Sequence, residues 1–105
     1  MAQLLCPQSI VFSFGTRKAI VSRYEIHYAL VGRPCGWDVS GSNDGVNWTV
    51  LHQKACNAPV FEESPYVSEV SRKEAFNKIR LTITSTYAKD RVGITEIRYY
   101  GYIED

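Results

Sequence analysis

Cysteine, histidine and net charge are all scarce in this chain. Three cysteines stand at Cys6, Cys35 and Cys56, and two histidines at His27 and His52. The cysteine number is odd and no two are close in sequence, so neither a disulfide framework nor a zinc site is expected, and three reduced thiols are. Neither histidine has a cysteine or a second histidine beside it, and each falls in strand-like alternation as a half-exposed residue. The formal net charge of +1 lacks the basic excess of a general nucleic-acid binder. No apolar run approaches the ~20 residues that a membrane helix needs. The opening Met1 to Ser9 has no basic n-region and no long apolar stretch, so no signal peptide is read and the cytoplasm is the expected location, with an extracellular mature chain as the alternative. Gly-x-Ser-x-Gly, His-Glu-x-x-His and P-loop patterns are absent. Ser40 and Ser42 lie on the polar face of a hairpin, and Glu62-Glu63 reads as a solvated charge pair in a proline-bounded loop. A non-enzyme is expected.

What the chain does have is alternation with a period of two. Its 105 residues suit one domain, enough to bury a core without staples. Met1 to Gln8 reads as a leader segment, and residues 9–105 as the domain. Ile10, Phe12 and Phe14 share one face of a strand from Ser9 to Phe14. In Ala19 to Leu30, Tyr24, Ile26, Tyr28 and Leu30 face one way, and Arg23, Glu25 and His27 the other. Tyr66 to Val70 is a short strand. Ser71 to Ala75 fits a helical turn, with Ser71 as N-cap and Glu74 closing a capping box. Phe76 to Thr84 sends Ile79, Leu81 and Ile83 inward, and Val92 to Tyr102 is the last strand. Six or seven short strands with turns every 8 to 12 residues predict an all-β sandwich or barrel.

The stretch from Trp37 to Leu51 organises the rest. Asp44-Gly45 between alternating runs is a hairpin signal, since Gly45 takes positive φ without steric cost and Asn43 and Asp44 can bond local backbone. With those two residues as the loop, Gly41 faces Trp48. One face then carries Trp37, Val39, Trp48 and Val50, and both tryptophans are expected in the core. Asn47-Trp48-Thr49 also fits a glycosylation sequon, which matters only in a secreted chain.

Three ordered blocks carry a resemblance. They are Trp37-x-Val-x-Gly-Ser-Asn-Asp-Gly-x-x-Trp48, Phe76-x-x-Ile-Arg-Leu-x-Ile83 and Gly93-Ile-Thr-Glu-Ile-x-x-Tyr-Gly101. Together, over about Ser9 to Tyr102, the chain resembles the discoidin or coagulation-factor 5/8 C-type domain family. The resemblance implies a galactose-binding-like jelly-roll β-sandwich that binds glycans, phospholipid headgroups or proteins rather than catalysing a reaction. Family domains run longer before the segment matching Ser9 to Phe14, so the N-terminus here is short and a sheet edge is expected to lie open. Glu96 matches the glutamate that holds calcium in some members. Their Asp/Thr loop has no counterpart here, so Glu96 stands alone as a calcium candidate and no cofactor is expected.

Arg33 resembles a loop position where glycan-binding members often carry an arginine, and Tyr87 one where they carry an aromatic. The resemblance puts both loops at one end of the sandwich, together with Arg91. Two readings follow. The first is a protein-interaction or assembly subunit, pairing with a partner or with itself through the open edge. The alternative is a lectin-like, carbohydrate-binding or adhesion module. The absent signal peptide and odd cysteine number put the assembly subunit first.

Overall fold

The structure, a computed structural model, describes residues 8–28, 32–56, 64–87 and 93–104. Seven strands occupy them: β1 (Gln8–Ser13), β2 (Lys18–Tyr28), β3 (Pro34–Ser42), β4 (Thr49–Lys54), β5 (Tyr66–Glu69), β6 (Lys78–Thr86) and β7 (Ile94–Glu104). They form two antiparallel sheets, ordered β1-β6-β3-β4 and β5-β2-β7. No helix occurs among the described residues. This is the expected all-β sandwich.

Alternation drives the packing. Ile79, Leu81 and Ile83 of β6, Trp37 and Val39 of β3, and Tyr24 and Ile26 of β2 are buried between the sheets. Arg23, Glu25 and His27 stay on the outer face of β2. Burying a side chain of this size contributes about 1.5–3 kcal/mol, so the core rests mainly on the inward faces of three strands.

The hairpin departs from expectation in register. Its loop spans residues 43–48, and the first β3–β4 pair is Gly41 with Thr49 rather than with Trp48. Asp44 explains the wider turn. Its carboxylate accepts from the backbone N–H of Val46 (2.8 Å) and Asn47 (2.7 Å), from the Asn47 amide (2.7 Å) and from the Ser42 hydroxyl (3.0 Å). Asn43 is drawn away to the Asn77 N–H on the neighbouring connection (3.0 Å). Gly45 takes φ 77° as expected. A bulge follows, since Val39 pairs with His52 and Ser40 with Val50, which leaves Leu51 as the extra residue.

That bulge reverses the parity of the start of β4. Val50 faces outward, and Leu51 packs against the core instead. Trp48 is not core either. It is half-buried on the outside of the sheet, with the Arg80 guanidinium 4.0 Å above its ring. The space over Gly41 belongs to Phe76, whose ring any Cβ at that position would strike. The segment from Ser71 to Ala75 is not helical. Glu74 bonds Arg72 at 2.9 Å rather than closing a capping box.

The expectation of three reduced cysteines is overturned by a disulfide between Cys35 and Cys56, with Cα atoms 4.6 Å apart. Register is the cause. Trp37 pairs with Lys54, so two residues further along each strand Cys35 meets Cys56. The two-residue turn would have set Cys35 opposite Lys54. Cys6, Leu30, Glu62 and Glu63 lie outside the described residues.

Candidate functional site

Strand directions send the β2–β3, β4–β5 and β6–β7 connections to one end of the sandwich. Pro34 pairs with Thr86 and Tyr28 with Ile94, so the roots of two of these connections are neighbours. Tyr87 donates its backbone N–H to the Arg33 carbonyl at 3.0 Å, and Gly93 donates to the Gly32 carbonyl at 2.7 Å. Gly32 can turn there because it holds φ 80°, a left-handed conformation that a side chain would resist. The Tyr28 N–H bonds the Ser64 hydroxyl at 3.1 Å, tying down the connection from β4 to β5. The Cys35–Cys56 bridge pins its other root.

Arg33 and Tyr87 are therefore brought together, both half-buried. The Arg33 guanidinium lies 5.5 Å from the Tyr28 ring centre, over an aromatic face that helps hold its direction. Arg91 lies outside the described residues. Glu96 is elsewhere, on the outer face of the β2–β7 pair. There it bonds Arg98 at 2.9 Å and stands 3.9 Å from His27, which also bonds Glu25 at 3.2 Å. The contact with His27 holds the Glu25 carboxyl below its usual range. Glu96 thus belongs to a polar ladder with Arg98, His27 and Glu25. No group of three or more His, Cys, Asp or Glu able to hold a metal occurs among the described residues.

A second polar cluster, not anticipated, joins the sheets on the side where the β4 and β5 edges lie. Trp37 Nε1–H donates to Tyr24 Oη at 2.9 Å, and Tyr24 Oη lies 2.6 Å from His52 Nδ1. Because the Ser68 hydroxyl gives its proton to the Glu69 carbonyl, it must accept from His52 Nε2, which leaves Nδ1 of a neutral ring to accept the Tyr24 proton. His52 then carries its own proton on Nε2 and donates to Ser68 Oγ at 3.3 Å, while that hydroxyl donates to the Glu69 carbonyl. Burial pushes the Tyr24 phenol well above its usual range, and burial followed by the Lys54 charge lowers His52. Donation runs one way, from buried Trp37 through Tyr24 and His52 to Ser68 and the Glu69 carbonyl at the edge, and engages each proton in turn, which suits a structural strut better than a catalytic dyad. Only a correct β4 register would have placed His52 opposite Val39 and beside Tyr24.

No family model matches the chain, and no curated protein does. Solved structures do match. Chitosan-binding module 2 of a chitosanase/glucanase from Paenibacillus sp. IK-5, in complex with chitotriose, shares 18% identity over 95% of this chain and 74% of its own, with a TM-score of 0.78. CpGH89CBM32-6 produced by Clostridium perfringens shares 22% over 91% of this chain and 70% of its own, at 0.71. The CBM32 of AlyQ in complex with 4,5-unsaturated mannuronic acid shares 16% over 91% and 72%, at 0.70. The fold is that of the CBM32 modules, the discoidin or galactose-binding-like β-sandwich. At these identities the likeness establishes the fold.

Proposed function

We propose that this chain is a non-catalytic carbohydrate-binding module that takes a hydroxyl-rich or anionic glycan at its Arg33 end. The observation that carries the reading is the Tyr87 N–H to Arg33 carbonyl bond, which sets the backbones of an arginine and a tyrosine next to each other at one end of the sandwich. A forked guanidinium can bond two sugar hydroxyls or a carboxylate, and an aromatic face packs on the apolar side of a sugar ring. The sequence resemblance assigns Arg91, outside the described residues, to the same end as a further cation. Two solved neighbours in complex with saccharides, chitotriose and an unsaturated mannuronic acid, support this order over the assembly subunit that the sequence had put first. The disulfide also supports an extracellular or otherwise oxidising location over the cytoplasm.

A glycan array probed with the wild type, Arg33→Ala and Arg33→Lys tests the reading. Specific binding by the wild type is expected. Arg33→Ala should weaken it by about 1.5–3 kcal/mol, the range for hydrogen bonds to a charged group. Arg33→Lys should restore it only in part, because an ammonium lacks the planar fork. A wild type that binds no glycan on the array returns the protein-assembly reading to first place.

A further inference from the structure

Among the described residues, the sandwich is bridged on one side and leaves a cleft on the other. The Tyr24–His52–Ser68 bonds bridge the sheets at the β4 and β5 edges. At the β1 and β7 edges a cleft of about 650 Å³ remains, lined by Ile10, Phe12 and Phe14 on one side and Ile94, Ile97 and Tyr99 on the other. Ile10 and Phe12 are 49% and 54% exposed, although their parity points them inward.

Among the described residues, the strand at this lip carries none of the features within a strand that blunt an edge. Edge strands are normally blunted by charge, proline, bulges or shortness. β4 carries Lys54 and a bulge, β5 has four residues and ends on Glu69, and β7 carries Glu96, Arg98 and Glu104. β1 has no charge, no proline and an unbroken register against β6.

Its sequence is also symmetric in character. Ser9-Ile10-Val11-Phe12-Ser13 reads polar, apolar, apolar, apolar, polar in both directions about Val11. We propose that β1 pairs antiparallel with β1 of a second copy of this chain, about a twofold axis at Val11. Ile10 then faces the partner's Phe12, Ser9 faces the partner's Ser13, and Val11 faces the partner's Val11. An isologous contact requires this kind of self-complementary patch. An axis perpendicular to the sheet keeps each face on its own side, so both β5-β2-β7 sheets lie over the same face of the joined eight-stranded sheet. The two clefts open onto each other, and Ile10 and Phe12 of both copies become core. Val11, on the outer face, marks the centre of the join.

Sedimentation velocity across the micromolar range, with intact wild-type chain, tests this directly. A dimer is expected. Val11→Lys should weaken it on the order of tenfold or more by opposing two charges at the axis, with an unchanged circular dichroism spectrum because Val11 is exposed in the single chain. In a Cys6→Ser background, Val11→Cys should oxidise to a covalent dimer. Ser9→Cys should not, because the two copies of residue 9 sit four residues apart along the strands, about 13 Å. A wild type that stays monomeric throughout, or equal cross-linking at positions 9 and 11, overturns the proposal. So does a monomer that takes up an unrelated strand-forming peptide at β1.

Discussion

The Tyr24 hydroxyl lies 2.6 Å from Nδ1 of His52, and this contact couples the β2 and β4 strands of different sheets. Its strength depends on a neutral imidazole. Nδ1 must accept the phenol proton, and a protonated ring has no acceptor there. Burial and the Lys54 charge lower the His52 pKa below its ordinary 6.5, while the unfolded chain titrates near that value. The unfolded state therefore binds more protons as pH falls through 6.5, and stability falls with it until the folded-state pKa is passed. Tyr24 and Ser68 face the ring and bring no compensating negative charge. Urea unfolding midpoints should drop between pH 7 and pH 5 in the wild type and much less in His52→Gln.

Removing the phenol group tests the same strut from its middle. Tyr24→Phe leaves the Trp37 N–H without its acceptor inside the core. The expected loss is about 1–3 kcal/mol, the cost of one unsatisfied buried donor. Thermal unfolding of the variant should show it, with the CD spectrum of the folded state unchanged.

The disulfide gives a count and a stability difference. Denatured protein should show two more reactive thiols after reduction than before it. A bridge across 21 residues is expected to contribute about 3 kcal/mol by limiting the unfolded chain. Cys35→Ser with Cys56→Ser should lose about that much in urea unfolding, and an equal thiol count with and without reductant would contradict the bridge.

Gly41 offers a test of packing. A methyl group there meets the Phe76 ring, which is buried and backed by the core. Gly41→Ala should cost about 1–3 kcal/mol through overpacking. Gly41→Ala combined with Phe76→Leu should recover part of that cost, which chemical denaturation of the single and double variants can read.

The sheets were legible because burial follows a period of two, which β6 obeys from Lys78 to Ile83 and β2 from Arg23 to Tyr28, after an irregularity between Val21 and Arg23. Ile79, Leu81 and Ile83 in β6 could face only one way once the wet residues between them were assigned. β4 was misread at its start because two local features shift its register. Asp44 has enough hydrogen-bond capacity to hold a six-residue loop, and Leu51 bulges. Neither feature alters the apolar pattern that a register argument uses. The same error hid the disulfide and the position of His52, since both depend on what lies opposite β3. At the candidate site, the family resemblance supplied Arg33 and Tyr87, and the backbone bond between them adds their adjacency. Composition and periodicity carry no signal for a loop that binds through a few polar groups.

Glycan binding at the Arg33 end is tested most directly by an amide-resolved NMR titration of the wild type with the strongest glycan from the array. Shifts should concentrate on Gly32, Arg33, Tyr87 and Gly93, and Arg33→Ala should abolish them at the same glycan concentration. Saturable shifts confined to β1 and the β1–β7 cleft, with the Arg33 end silent, would contradict binding there.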